Sequence, residues 1–319
     1  MKTTILSAMA AICLTAATQT ANAQFPGQPA PKEPQKIIDL WNGNIPGAKN
    51  VDASKLDEVS TKSFFARDIK VPSIAYYPAD ENPTGTAVVV CPGGSYAGLS
   101  YAFEGVNQAA WLNSIGISAF VLRYRMPKDE FMEKRCDGPL QDAQQAIRYV
   151  RSHAAEYGIN PDHIGIVGFS AGGHLASTAS THFNDEVYKP AENVSARPDF
   201  AVLVYPVITM EPSYSEKGTR ECLLGSDANN QTLIDRFSNE KQVTAETPTT
   251  FLAHAMNDKL VPYTNSVNYA NALREKGVEC ELHLYARGDH GLGARNPIET
   301  QAFWHDACEK WLRMNGWVK

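Results

Sequence analysis

Strand-like runs alternating with helix-like stretches predict an α/β fold, a mostly parallel central sheet flanked by helices. Three observations carry this reading. The runs "TAVVVC" (86–91), "HIGIVGF" (163–169) and "DFAVLVYPV" (199–207) are apolar at consecutive positions, as strands covered on both faces must be. The stretch 139–157 instead repeats its apolar residues at helical spacing, with Ala143, Ala146, Ile147 and Val150 along one face. Glycine, proline and small polar residues punctuate the changes of period, as connections between strands and covering helices require.

The chain has 319 residues, 43% hydrophobic and 20% charged, which is globular composition and enough chain for one large core. It opens with "MKTTILSAMAAICLTAATQTANAQ", in which Lys2, an apolar stretch over 5–17 and Ala21-Asn22-Ala23 before Gln24 fit an export signal. Residues 1–23 are therefore read as a signal peptide, the mature chain is expected to start near Gln24, and the protein is expected in the periplasm or outside the cell. The stretch is too short to span a bilayer, so no membrane insertion is expected. Ile12 directly before Cys13 is a poor context for lipid attachment. Residues 24–62, beginning "QFPGQPAPKEPQK", are read as a proline-rich tether and an irregular segment. Residues 63–319 are read as one domain.

Within that domain "FFARDIKVPSIAYYP" (64–78) is expected to form a hairpin, 103–114 a helix, and "ISAFVLRYR" (117–125) a strand. "HIGIVGF" is followed by the helix "AGGHLASTAST", and "TTFLAHA" (249–255) and "CELHLYA" (280–286) are further strands. Helices at 265–277 and 298–314 complete the alternation. Residues 208–246 break it. A stretch of that length without clear periodicity is expected to be a cap or lid insertion built from short helices.

Charge and cysteine usage exclude several functions. With 29 basic and 35 acidic residues the net charge is −6, and loss of the leader's one lysine makes it −7. No basic cluster offsets this, so no nucleic-acid partner is expected. Beyond the leader lie Cys91, Cys136, Cys222, Cys280 and Cys308, an odd number without a C-x-x-C pair or a histidine at zinc spacing. They are read as small buried side chains, their pairing is left open, and no metal or cofactor is expected.

Chemistry concentrates at "GFSAGGHLAS" (168–177). Gly168-Phe169-Ser170-Ala171-Gly172 joins a strand to a helix as G-x-S-x-G, a turn so tight that its flanking positions exclude side chains and its serine hydroxyl stands clear. A serine hydroxyl needs a base at neutral pH, and histidine is the side chain suited to it. Among eight histidines, His290 in "RGDHGLG" follows the final strand, where a parallel sheet presents its chemistry. His254 and His283 lie inside strand patterns, His174 is read as packing, and His153, His163, His182 and His305 fall in surface-like contexts. Asp258 in "HAMNDKLVP" follows another strand and is the candidate to orient His290, while the adjacent Asp289 is read as a loop stabiliser. For the oxyanion, Ala171 N–H and a donor from "PGGSY" (92–96), at Gly94 or Ser95, are expected. Tyr96 and Glu104 are candidate pocket residues. Tyr101, Trp111 and Trp304 could stack on sugar rings, although aromatics are more commonly core.

Taken together, "CPGGSY", "LRYR", "DAQQAIRYVRSHAAEYGINPDHIGIVGFSAGGHLAS", "TPTTFLAHAMNDKLVP" and "ELHLYARGDHGLG" resemble α/β-hydrolase esterases related to acetyl xylan esterases and the hormone-sensitive-lipase-like group. The resemblance runs from about Ser63 to the C-terminus. It implies a Ser-His-Asp carboxylesterase acting on acylated carbohydrate, with Ser170, Asp258 and His290 at the matching positions. Where lipase-like relatives carry His-Gly-Gly-Gly, this chain has Pro92-Gly93-Gly94-Ser95. A feruloyl or general short-chain esterase and an exported serine peptidase are the alternatives, though peptidases on this fold usually carry a further large domain. A non-enzymatic binding protein on the fold would be expected to have a broken triad. Acyl group, polysaccharide and oligomeric state stay open.

Overall fold

Eight strands form one sheet in the order β1-β2-β4-β3-β5-β6-β7-β8 in the computed structural model, which describes residues 30–292 and 299–319. They are β1 Lys36–Asp39, β2 Ser73–Tyr77, β3 Ala87–Cys91, β4 Ser118–Arg123, β5 Ile164–Phe169, β6 Phe200–Val204, β7 Thr249–Ala255 and β8 Cys280–Tyr285. The pairings β1/β2 and β2/β4 are antiparallel and all others parallel. Every residue of β3, β4, β5 and β6 is buried, as the apolar runs of β3, β5 and β6 require. The β8 edge strand is only partly covered along its length.

Seven α-helices are described: α1 Asn107–Ser114, α2 Gly138–Ser152, α3 Ala171–Thr181, α4 Lys217–Leu224, α5 Gln231–Phe237, α6 Thr264–Glu275 and α7 Glu299–Met314. A π-helical turn, Tyr101–Val106, runs directly into α1. Pro139 sits in the first turn of α2, where its missing N–H costs nothing, and Ala143, Ala146, Ile147 and Val150 are buried as their spacing predicted. The 208–246 stretch contains α4 and α5, as short as expected. Glu216 caps α4 through Gly218 N–H and Thr219 N–H, and Asn230 caps α5 through Thr232 N–H.

Two expectations about the N-terminal part are corrected. Residues 64–78 form no hairpin, because β2 takes as partners β4 and the earlier β1, with Lys36 opposite Tyr76 and Asp39 opposite Ser73. Part of the segment expected to be irregular is thus the sheet's edge strand. A buried ion pair clips it down. Arg125 donates to Asp142 from Nε at 3.0 Å and from Nη2 at 2.8 Å, while its Nη1 reaches the Pro46 carbonyl at 2.8 Å. Trp41 Nε1 donates to the same carboxylate at 2.9 Å. The leader, residues 1–23, lies outside the described residues.

Cys91, Cys136, Cys222, Cys280 and Cys308 are all free thiols, Cys91 and Cys308 fully buried. Among the described residues no helix is long and apolar enough to cross a membrane. Tyr101, Trp111 and Trp304 belong to the core. His182 and His305, expected near the surface, are buried too, and His305 stacks on Trp111 at 4.2 Å between ring centres.

Candidate active site

The strand-to-helix turn after β5 holds Ser170 at φ 51° and ψ −121°. That left-handed backbone costs a non-glycine residue on the order of 1–3 kcal/mol, so its surroundings must impose it. They do so from three sides: Ser170 N–H donates to the Val204 carbonyl, while Val207 N–H and His174 N–H both donate to the Ser170 carbonyl. Close approach explains the flanking glycines. A Cβ on Gly168 would strike the Gly172 carbonyl, and one on Gly172 would strike the Cys91 carbonyl, so neither side of the turn has room for a side chain.

Two loops bring partners to this serine. His290, after β8, places Nε2 2.9 Å from Ser170 Oγ and Nδ1 2.8 Å from Asp258 Oδ2. A carboxylate accepts, so Nδ1 carries the proton and Nε2 is left to accept from the hydroxyl. Asp258, after β7, is anchored at its other oxygen by Leu260 N–H and Val261 N–H, both at 2.9 Å. A second histidine touches it. His254 Nε2 lies 3.3 Å from Asp258 Oδ2 and 3.0 Å from the Val261 carbonyl, with its Nδ1 2.8 Å from Ser266 Oγ. Burial pushes the Asp258 carboxyl up, but hydrogen bonds from His254 and His290 and the His290 charge outweigh it and hold it well below the usual carboxylate range.

The two loops are also buckled together. Asn257 Nδ2 donates to Asp289 Oδ1 at 2.8 Å and Asp289 N–H returns to Asn257 Oδ1 at 3.0 Å, each residue directly preceding one of the pair. Asp289 thus stabilises its loop, as expected. Tyr205, at the end of β6, packs its ring edge-on to the His290 ring at 5.1 Å and donates its hydroxyl to Glu104 Oε1 at 3.0 Å.

The loop after β3 passes beside the serine, since a Cβ on Gly93 would fall 2.8 Å from Ser170 Cβ. Gly93 N–H is already committed to Glu104 Oε2 at 2.7 Å, so it is not the loop's donor to an oxyanion, which keeps Gly94 and Ser95 as the candidates. Both are partly exposed, whereas Tyr96 and Glu104 are buried. Exposure does not separate these two from the site, since Ser170 itself is 6% exposed; what their polar tips touch describes them better. Tyr96 turns its hydroxyl inward to His174 Nδ1 at 2.9 Å, and Glu104 grips the loop from behind.

Ser170, His290 and Asp258 are thus brought into one hydrogen-bonded chain, Ala171 directly follows its serine, and the loop that carries Gly94 and Ser95 approaches that serine at Gly93. Sequence reasoning did not single out Tyr205 or the contact of His254 with Asp258. The position of Tyr205 at a strand's C-terminal end was the available signal. Among the described residues, no group of three or more His, Cys, Asp or Glu side chains is placed to hold a metal ion.

A mostly parallel sheet that presents a serine elbow, with histidine and aspartate on the loops after its last two strands, makes this chain an α/β-hydrolase. The BD-FAE family model matches residues 74–273, and the chain belongs to that family. It is 40% identical over 229 residues to an acetylxylan esterase of Xylanibacter ruminicola, covering 71% of this chain and 44% of that protein. It is 34% identical over 230 residues to endo-1,4-beta-xylanase B of Butyrivibrio fibrisolvens, covering 71% and 35%. The chain thus spans less than half the length of either. Among solved structures, the acetyl ester-xyloside bifunctional hydrolase from Caldicellulosiruptor lactoaceticus superposes with a TM-score of 0.76 at 37% identity, over 90% of this chain and 98% of that one.

Proposed function

We propose that this protein is an exported serine esterase that removes acetyl substituents from a plant polysaccharide such as xylan. The observation that carries the reading is the continuous chain Ser170 Oγ, His290, Asp258, with links of 2.9 and 2.8 Å, in a member of the BD-FAE family. The acetylxylan esterase and xylanase relatives support the choice of substrate.

In this mechanism His290 Nε2 takes the proton from Ser170 as Oγ bonds to the acyl carbon. Asp258 accepts from Nδ1–H throughout, which fixes the tautomer and stabilises the imidazolium that forms. The oxyanion receives Ala171 N–H at the start of α3 together with Gly94 or Ser95 N–H, the backbone donors that this mechanism requires. Collapse breaks the ester C–O bond, and His290 returns its proton to the leaving sugar hydroxyl. Water, deprotonated by His290, then attacks the acyl carbon; collapse breaks its bond to Ser170 Oγ, which takes the proton back from His290 as the acid leaves.

The test is acetate release from acetylated xylan by the wild type and by Ser170→Ala. Release by the wild type alone is expected; equal release by both proteins would refute the mechanism, and release of ferulate in place of acetate would move the substrate class. Export is tested by fractionating producing cells and sequencing the mature N-terminus, expected near Gln24.

A further inference from the structure

The loop after β3 runs through three consecutive left-handed residues, Gly94 at φ 133°, Ser95 at 53° and Tyr96 at 56°. For Ser95 and Tyr96 this conformation is intrinsically unfavourable, so neighbouring structure has to enforce it. Both ends of the loop are tied. Tyr124 Oη donates to the Pro92 carbonyl at 2.7 Å, Gly93 N–H goes to Glu104, and Ser100 N–H returns to the Gly93 carbonyl at 2.8 Å. Within the strained stretch, Tyr96 is the residue whose side chain is driven into the core, 2% exposed.

Its hydroxyl meets His174, and the direction of that bond is fixed from the far side. His174 Nε2 lies 2.8 Å from the Phe237 carbonyl, which can only accept, so Nε2 carries the proton and Nδ1 is the acceptor for Tyr96. Burial pushes the imidazole down to about 4, so it stays neutral and Nδ1 keeps its lone pair at neutral pH. The inserted segment grips His174 a second time: Asn239 Nδ2 donates to the His174 carbonyl at 3.2 Å and to Ser177 Oγ at 2.7 Å. His174 N–H itself donates to the Ser170 carbonyl. One residue therefore links the nucleophile turn, through its backbone, with the strained donor loop and the 208–246 insertion, through its side chain.

We propose that His174 is a positioning residue for the oxyanion site: through Tyr96 it holds Gly94 and Ser95 in the left-handed geometry that presents their N–H groups, with the insertion at Phe237 as its anchor. The proposal rests on the reading of Ser170 as the nucleophile. It assigns the insertion a part in the rate.

Tyr96→Phe removes the hydroxyl and keeps the ring, and His174→Leu removes both bonds. His174→Gln retains one acceptor and one donor on a single amide. Active sites are counted by complete reaction with a fluorophosphonate, so that misfolded protein is not scored, and kcat and KM are measured on a nitrophenyl acetate. Loss of a donor from an oxyanion site lowers kcat by about 100- to 1000-fold, so a misaligned one is expected to cost about 10- to 100-fold in Tyr96→Phe and His174→Leu. KM is expected to stay within about twofold and His174→Gln to recover part of the rate, because the interaction operates on the transition state. Inhibition by a trifluoromethyl ketone should weaken in step with kcat. A Tyr96→Phe protein with unchanged kcat per labelled site, or with KM raised and kcat kept, overturns the proposal and leaves the nucleophile reading standing. A wild type that takes no label overturns both.

Discussion

Asp142 and Asp258 are both carboxylates with fully buried side chains, and their surroundings make opposite use of them. Asp142 faces the Arg125 guanidinium, the Arg125 backbone N–H and the Trp41 indole. Asp258 faces two backbone N–H groups and two imidazoles. Guanidinium keeps its protons at any working pH, so the first arrangement can only lock structure in place. Imidazole can donate at one nitrogen while accepting at the other, so the second arrangement lets a proton move. The lesson is that burial and charge alone do not mark a functional carboxylate; a partner that can pass a proton onward does.

The largest effect tests the second half of that contrast. Ser170→Ala and Asp258→Asn should each lower kcat/KM by about 10⁴-fold or more, the scale for disabling a triad member, while thermal melting moves little in Ser170→Ala. A melting loss as large as that of the next variant would erase the distinction. Asp142→Ala leaves a buried guanidinium without its counter-charge and should destabilise by about 3–5 kcal/mol, read from urea unfolding. Activity per folded molecule should persist, measured on protein counted by active-site labelling.

pH extends the comparison. Burial lowers His174 from 6.5 to about 4 and His305 from 6.5 to about 3. The unfolded chain takes up protons below 6.5 that the native state refuses until those lower values. The stability linked to each histidine is therefore complete above 6.5 and is lost as pH falls toward 4 and 3, by about 1.4 kcal/mol per pH unit for each group at full slope. Urea midpoints measured from pH 7.5 to 4.5 should show this decline, and a flat profile would contradict neutral burial. The smallest effect supplies the baseline. Lys217 and Glu221 form an exposed pair on α4 at 3.6 Å, and Lys217→Ala should cost no more than about 0.5 kcal/mol.

The site was legible where local pattern and strand position coincide. Ser170 was marked by its glycines, and Asp258 and His290 by following apolar strands. The edge strand was not legible, because "KIID" has no periodicity of its own and its partner Ser73–Tyr77 lies far along the chain. The inward turn of Tyr96 was hidden for a different reason. Its direction follows from positive φ at Ser95 and Tyr96, residue types that do not announce that conformation. His254 lies inside a strand, as its sequence pattern indicated. That it meets Asp258 depends on how the chain turns after β7, which spacing alone does not specify.

The position of β8 has a consequence for how the protein fails. Ser170 follows a central strand with every residue buried, whereas His290 follows the outermost strand, partly open along its length. Edges of a sheet open locally at lower free energy than its centre. Amide hydrogens of β8 should exchange before those of β5, and each such opening parts the base from its serine while the core stays closed. Loss of activity on warming should therefore precede loss of the fold, and return on cooling without any need to refold.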